Sequence, residues 1–314
     1  MSLLTRFLDD TTRAELSQRV TPNGFRLEDV TRAGTRHPDS LIGVYAPDPQ
    51  SYAVFCELFD PILQHFKPPC HADRDDRPRL NPRAVVSTRI RVARNLVGHV
   101  FPAGMTRMER LSVEAKITRA CGALVPEFGG WIRRLGELPG PKLVSMVSRG
   151  LAFGPDDPYM ASANIHADWP IGRSVFNTCT KQVSVWINEE DHLRVAVILP
   201  GASIAACSQA MNAVMTHLAN HLEFCRDAER GYLTSCPSNA GSAMRVSYRI
   251  DLNLDPSQEA ILEELETTGR LQIRGAAGEH APRGRLIDVS LRKRVGISEA
   301  HLLQHMEDLL VPTL

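Results

Sequence analysis

The stretch Trp186-Ile187-Asn188-Glu189-Glu190-Asp191-His192-Leu193-Arg194 joins two apolar segments of the chain. Upstream, Val183, Val185 and Ile187 occupy every second position, and downstream residues 195–199 form an unbroken apolar run. This pattern predicts a strand, a charged loop and a second strand. An acidic loop is usually just solvated, so its significance depends on which other groups accompany it.

The bulk composition restricts the classes of partner and compartment. The chain has 314 residues, with 36 Lys and Arg balanced by 36 Asp and Glu. Neutral net charge argues against general electrostatic attraction to nucleic acid or to a membrane surface. No stretch is long and apolar enough to cross a bilayer, and the start does not resemble a secretory leader. Seven scattered cysteines without a CxxC pair fit the reducing cytoplasm, so we expect a cytoplasmic protein without nucleic-acid or membrane partners.

The pattern along the chain predicts two domains. Apolar residues at helical spacing, with Ser51 as the cap of one helix, predict a small all-α N-terminal domain over 1–67. Four prolines among mixed charges mark 68–83 as a linker. Residues 84–314 mix strands and helices without repeated βαβ units, which predicts an α+β fold. The sequence leaves open whether the protein is a monomer or a homodimer.

Two local signals predict helices in the second domain. Thr106 and Glu109 have the spacing of a capping box at a helix start. The residues Ile204, Cys207, Met211, Val214, Met215, Leu218 and Leu222 form a long apolar stripe. That stripe predicts a helix with one buried face.

Arginines recur beside predicted strands. Arg89 and Arg91 are two residues apart, so on a strand they point to the same face, where two guanidinium groups suit phosphate oxygens. Single arginines follow at Arg194, Arg245 and Arg274. There is no P-loop motif, so side chains would have to hold a phosphate. A solvated edge strand or an RNA-binding patch would give the same arginine pattern.

Two glutamates and one cysteine are candidates for chemistry. Glu190 and Glu279, the latter in a glycine-bearing stretch, could clamp a planar guanidinium, and one of them could accept its proton. Cys236 lies among small polar residues in a predicted loop, where a thiolate could form. Each is individually explained as well by an ordinary surface acid or a buried small residue.

Together the groups resemble the phosphagen (ATP:guanido) kinases, and within them the arginine kinases, over nearly the whole chain. The motifs that carry the resemblance are Ser87-Thr88-Arg89-Ile90-Arg91, Trp186 to Arg194, Thr234-x-Cys236-Pro237-Ser238-Asn239 and Arg274-Gly275-x-x-Gly278-Glu279-His280. The resemblance implies a helical N-terminal domain followed by a larger domain with an antiparallel β-sheet flanked by helices. It also implies reversible transfer of the ATP γ-phosphoryl group to a guanidine nitrogen.

The resemblance also assigns roles to residues. Those that match the family's phosphate-binding positions are Arg89, Arg91, Arg194, Arg245 and Arg274, with Ser87 beside them. Glu190 and Glu279 match the carboxylates that align the guanidinium, and Cys236 matches the reactive cysteine. The implied ligands are ATP or ADP and Mg²⁺. No side chain is expected to bind Mg²⁺ directly, and Glu189 and Asp191 are expected to contact the waters around it.

Substrate choice rests on Ser40, Leu41, Ile42, Gly43 and Tyr45, which resemble the arginine-kinase specificity loop. Leu41 stands where those kinases usually have glycine. The resemblance therefore implies that a small guanidino compound, L-arginine first, is the substrate. The alternatives left open are a protein-arginine kinase, a nucleotide-binding pseudokinase and an RNA-binding module.

Besides Leu41, four positions depart from the family pattern. Gly150 and Arg249 replace histidines near the adenine, which puts nucleotide binding in question. Ala277 replaces an arginine. Pro158 replaces an arginine that pairs with the residue matching Asp39, which predicts a looser closure of the two domains.

Overall fold

The computed structural model describes residues 2–68, 79–275 and 283–311. The first of these ranges is helical. Its helices are α1 (Leu3–Phe7), α2 (Asp10–Leu16), α3 (Leu27–Arg36), α4 (Ser51–Val54) and α5 (Cys56–His65). Ser51 is the first residue of α4 and not its cap, which is Gln50, and Phe55 separates α4 from α5.

An antiparallel β-sheet dominates the rest of the described chain. Its strands are β1 (Val85–Arg94), β2 (Trp131–Arg134), β3 (Ser174–Asn177), β4 (Val183–Ile187), β5 (Leu193–Pro200), β8 (Met244–Asp251), β9 (Leu271–Gly275) and β10 (Leu286–Leu291). The strand order is β2-β3-β4-β5-β1-β8-β10-β9. A separate short ribbon pairs β6 (Arg226–Asp227) with β7 (Gly231–Tyr232).

Helices cover one face of this sheet. The helices of this part are α6 (Arg107–Gly122), α7 (Val125–Phe128), α8 (Gly140–Ser148), α9 (Pro158–Ser162), α10 (Ile204–Ala219), α11 (Gln258–Thr267) and α12 (Glu299–Glu307). Helices α6, α10, α11 and α12 contact the sheet. The predicted capping box is present, since Thr106 and Glu109 bond each other's backbone at the start of α6. The predicted α+β fold is thus confirmed.

Side-chain alternation gives the sheet two different faces. Ile90 and Val92 of β1 belong to the apolar core beneath the helices. Arg89 and Arg91 alternate with them and therefore point to the opposite face. The same alternation on β8 places Val246 in the core and Arg245 on the polar face. The polar face is the one that faces the N-terminal helices across the cavity described below.

Candidate active site

The side chain of Asn188 anchors the loop between β4 and β5. Its side-chain amide donates to the carbonyls of Arg110 and Gly172, at 2.9 and 2.8 Å. Asn188 adopts a positive φ of 56°, a conformation that asparagine tolerates better than most residues. This anchoring fixes the direction in which the three acids that follow leave the strand.

Arg194 is the second residue of β5, and its side chain contacts residues near the start of the same loop. Its guanidinium lies 4.0 Å from the centre of the Trp186 ring and donates to Glu189 at 2.8 Å. A cation above an indole face is favourable, so the Trp186 ring helps to position Arg194. The position of Arg194 is therefore set from two sides before any ligand binds.

The arginines of the polar face come together through strand register. Arg91 on β1 lies opposite Arg245 on β8, and Asp288 on β10 lies opposite Arg274 on β9. Burial, together with the charges of Arg89 and Arg194, holds the pKa of Arg91 well below its ordinary value. An anion placed among these guanidinium groups would relieve their repulsion.

Asp288 partly neutralises the far end of this arginine row. The guanidinium of Arg249 donates to both oxygens of Asp288, at 2.9 and 3.1 Å, and Arg89 lies 3.5 Å from the same carboxylate. Burial lowers the pKa of Arg89, and Asp288 opposes that shift. Arg249, at a position where the resemblance leads one to expect a histidine, thus pairs with a carboxylate. Gly150 has a positive φ of 67°, and a Cβ added there would contact nothing within 4 Å.

Glu190 and Cys236 both line the cavity, and residues 238–239 contact them both. The side-chain amide of Asn239 donates to Glu190 at 3.1 Å. Cys236 is only 4 % exposed, with its sulfur 3.2 Å from the hydroxyl of Ser238. Burial, and secondly the charge of Glu190, raises the pKa of the Cys236 thiol. Without a cation beside it the thiol form is favoured, contrary to the thiolate that its polar sequence context suggested.

Asp191 is a buried structural acid. One oxygen of its carboxylate accepts hydrogen bonds from the Asn95 side chain and from the backbone N–H of Ser235, both at 2.7 Å. The Ser235 carbonyl in turn accepts from the backbone N–H of Ala46 at 2.7 Å. Asp191 thus ties the loop that carries Cys236 to β5 and, through Ser235, to the N-terminal helical region. These contacts direct the Asp191 carboxylate toward donors of the protein. The expectation from the sequence was instead that it contacts the waters around Mg²⁺.

A cavity of about 270 Å³ lies between the two regions of the chain. One wall is the predicted specificity loop, from Ser40 to Tyr45. Glu190 and Cys236 form a second part of the lining, and the arginine face forms a third. Predicted site residues that line the cavity are Ser40, Leu41, Ile42, Gly43, Tyr45, Arg91, Glu189, Glu190, Asp191, Arg194, Cys236, Arg245 and Arg274.

Three predicted site residues lie apart from this lining. Arg89 and Ser87 are farther along β1 on the same face, outside the cavity. Glu279, like Ala277, lies outside the described residues.

Sequence reasoning missed several lining residues, among them Asp157, Tyr159, Met160 and Arg294. Arg294 belongs to a run of three basic residues, and Asp157 follows Asp156, so neither stood out from ordinary surface charge. Across 2–68, 79–275 and 283–311, no group of three or more His, Cys, Asp or Glu residues could hold a metal ion. The cationic wall fits a polyanion, and a divalent ion would here depend on oxygens that the polyanion brings.

The chain matches known proteins over nearly its whole length. Residues 126–312 match the model of the ATP:guanido phosphotransferase C-terminal catalytic domain, and residues 1–64 match that of its N-terminal domain. An arginine kinase of Schistocerca americana is 30% identical over 321 residues, covering 98% of this chain and 90% of that protein.

Solved structures of two related kinases also superpose on the chain. The substrate-free duplicated taurocyamine kinase of Schistosoma mansoni has a TM-score of 0.85 at 27% identity. That match covers 98% of this chain and 46% of the other, so the chain spans about half of the duplicated protein. A lombricine kinase has a TM-score of 0.81 at 28% identity, covering 98% of this chain and 89% of that one.

Proposed function

The chain belongs to the ATP:guanido phosphotransferase family, the phosphagen kinases, and from that premise we propose that its substrate is L-arginine. Enzymes of this family transfer a phosphoryl group between ATP and a guanidine nitrogen. The observation that carries the proposal is the three-walled cavity, which brings a carboxylate, an arginine face and a loop with open backbone amides together. Each wall suits one part of the two substrates.

Glu190 is proposed to align the guanidinium and to accept its proton. The Asn239 amide donates to one oxygen of Glu190 and so orients the carboxylate. Glu279 is proposed as the second carboxylate of this clamp. Cys236 is proposed to assist as a thiolate, because a bound guanidinium would counteract the burial that favours its thiol form.

The arginines are proposed to hold the phosphates of ATP. Arg91, Arg194, Arg245 and Arg274 line the cavity, and Arg89 extends the row along β1. With their positions set by strand register, they would meet the transferring phosphoryl group with little reorganisation. Mg²⁺ bound to the phosphate oxygens would neutralise part of their charge. We propose that Glu189 contacts its hydration waters, since the Asp191 carboxylate is turned toward Ser235 and Asn95.

The specificity loop is proposed to bind the substrate carboxylate. In the described part of the chain, the backbone N–H groups of Leu41 and Ile42 donate no hydrogen bond, whereas that of Gly43 donates to the Ser40 hydroxyl at 3.1 Å. Open amides attract an anion. The Leu41 side chain is 69% exposed at the cavity and would narrow the space around the tail of the substrate.

A turnover assay with a panel of guanidino compounds tests the proposal. ADP release should be fastest with free L-arginine and slower with creatine, glycocyamine, taurocyamine and lombricine. Absence of turnover with arginine at saturating magnesium-ATP would refute the substrate. Calorimetric ATP binding without turnover of any compound would instead indicate a pseudokinase.

Taurocyamine and lombricine are the second candidates, because solved structures of kinases named for them superpose well on this chain. A protein-arginine substrate is a weaker candidate, since the specificity loop occupies one wall of the cavity. Phosphoarginine on an added protein, with none on free arginine, would establish it.

We propose a helical domain over 1–67, a linker over 68–83 and a catalytic domain over 84–314. No helix in the described ranges is long and apolar enough to span a membrane. A cytoplasmic location, without nucleic-acid or membrane partners, is supported by the neutral net charge and by the scattered cysteines.

A further inference from the structure

Helix α9 brings an acidic side chain to the wall of the cavity that the specificity loop forms. Asp157, the cap residue of this helix, is half-buried and lines the cavity together with Ser40, Leu41 and Ile42. It lies on the loop that precedes α9, more than 100 residues after the specificity loop in the sequence. Asp157 has no part in the phosphoryl transfer proposed above.

Contacts between α3 and α9 hold Asp157 in place beside the loop. The ring nitrogen Nε2 of His37 lies 2.7 Å from the hydroxyl of Ser162, and the Tyr159 hydroxyl donates to Asp39 at 3.0 Å. The His37 and Tyr159 rings also meet edge to face. Since His37 and Asp39 directly precede the specificity loop, α9 and the loop form one contiguous surface. At the position where Pro158 cannot pair with Asp39, the hydroxyl of the neighbouring Tyr159 bonds to Asp39 instead.

Only one oxygen of Asp157 is occupied. Oδ1 accepts from the backbone N–H groups of Tyr159 and Met160, both at 2.9 Å, and so caps α9. Within the described ranges Oδ2 accepts no hydrogen bond. The cap keeps the side chain oriented and leaves the second oxygen available to a ligand.

The other acidic side chains that line the cavity already have partners within the protein. Glu189 pairs with Arg194, Asp191 accepts from Asn95 and Ser235, and Glu190 accepts from Asn239. Asp157 is therefore the acid suited to a cationic group at the loop end of the cavity. The open amides of Leu41 and Ile42 at the same end suit a carboxylate. A carboxylate and an ammonium group on the same carbon atom form the head group of an α-amino acid.

We infer that Asp157 binds the α-ammonium group of the guanidino substrate and selects substrates that carry an amino-acid head. This inference rests on the proposed arginine kinase function and deepens it. The loop amides would take the carboxylate, Asp157 the ammonium, and Glu190 the guanidinium at the far end. Taurocyamine, glycocyamine and creatine have no ammonium group, so Asp157 would favour arginine over them by its charge.

The test compares L-arginine with 5-guanidinopentanoate, which differs only by the missing α-amino group. Steady-state kinetics are measured at saturating magnesium-ATP for the wild type, Asp157→Asn and the control Asp156→Asn. The asparagine variant retains Oδ1 and thus the helix cap, but it loses the charge. Asp156 is an exposed neighbour outside the cavity lining.

Asp157→Asn should lower kcat/KM for L-arginine about tenfold, the scale of one charge-assisted hydrogen bond, and should leave kcat/KM for 5-guanidinopentanoate unchanged. The control should leave both substrates unchanged. An equal loss with both substrates would mean that Asp157 only caps α9, and no loss with either would also overturn the inference.

The wild type alone gives a second readout that does not depend on the folding of a variant. It should prefer L-arginine to 5-guanidinopentanoate by about tenfold or more. Equal kcat/KM values for the two would overturn the role of Asp157 but leave the arginine kinase proposal intact. Absence of turnover with arginine, with another guanidine accepted, would overturn the proposed substrate and the inference with it.

Discussion

Glu190 is the residue on which the proposed proton transfer depends most directly. Glu190→Gln keeps the side-chain volume and the contact with Asn239 but removes the base. We expect kcat to fall by about 10²- to 10⁴-fold, the usual contribution of a positioned general base, with little change in ATP affinity. Turnover and calorimetric ATP binding measure the two effects. The exposed Glu223→Gln variant is the matched control, and a kcat within a few-fold of wild type for Glu190→Gln would assign the base elsewhere.

Cys236 should behave as a protected thiol in the ligand-free enzyme, because burial raises its pKa. Alkylation requires the thiolate, so its rate with iodoacetamide should be low at neutral pH and still rising above about pH 9. The exposed Cys179 is the internal control and should react first. Peptide mapping by mass spectrometry resolves the two sites. Preferential labelling of Cys236 at pH 7 would show that the thiolate forms without a substrate.

Asp191 should make stability depend on pH in the opposite sense to most carboxyl groups. Burial raises its pKa to about 6, so the stability that its protonated form contributes is present at low pH and is lost as pH rises through that value. Asp191→Asn removes this titration. The unfolding free energy of the variant relative to wild type should therefore increase by about 2 kcal/mol between pH 4.5 and pH 7.

Urea unfolding at the two pH values measures this difference. A constant gap between wild type and Asp191→Asn would show that the carboxyl ionises in the folded protein as readily as in the unfolded chain.

Glu190 and Cys236 belong to motifs that are visible in the sequence, whereas Asp157 does not. Glu190, Cys236 and four arginines stand at positions that the resemblance singled out, and all six line one cavity. The sequence gives no comparable signal for Asp157. It reaches the specificity loop only through the packing of α9 on α3, a contact that local sequence does not encode.

At the scale of elements, α10 illustrates what local sequence does encode. Its predicted stripe is buried at Ile204, Cys207, Met211, Val214 and Leu218, because a 3.6-residue period requires no knowledge of distant partners. The order of the strands was not predictable in the same way. Strand β1 lies between β5 and β8, and its partners are about 100 and 150 residues away along the chain. Only that pairing places Arg91 opposite Arg245.

Truncation of the α10 stripe should destabilise the sheet domain. Leu218 is fully buried, so Leu218→Ala should lower the free energy of unfolding by about 3–5 kcal/mol through lost burial and a residual cavity. Gln209→Ala, on the exposed side of the same helix, should change it by less than about 0.5 kcal/mol. Denaturant titrations of both variants measure the contrast. A small effect at Leu218 would mean that the helix repacks over the sheet.

At the scale of the whole molecule, the helical region shares its core with the sheet domain. Phe59 and Leu58 pack in one apolar cluster with Phe101, Leu233 and Val295 of the larger region. Polar contacts add to this connection. The Tyr52 hydroxyl donates to the Thr234 carbonyl at 2.8 Å, and the backbone N–H of Ala46 donates to Ser235. The composition break that separates two domains in the sequence therefore coincides with no break in this apolar cluster.

This shared core predicts a single cooperative unfolding transition, which can be tested from the helical side. Phe59 is fully buried, and Phe59→Ala should cost about 3–5 kcal/mol. All three tryptophans, Trp131, Trp169 and Trp186, lie in the larger region, so their fluorescence reports on it alone. Because the cores are continuous, the variant should shift the fluorescence midpoint as far as the midpoint of helical circular dichroism.

The exposed Gln18→Ala variant should shift neither midpoint. A biphasic dichroism curve for Phe59→Ala, with the tryptophan midpoint unchanged, would mean that the helical region unfolds alone. In that case the specificity loop could detach while the arginine face stays folded. Coincident shifts would instead mean that the cavity between the two regions can be lost only by unfolding the whole protein. The structural reason is that Ala46, next to the specificity loop, is hydrogen-bonded to the segment that carries Cys236.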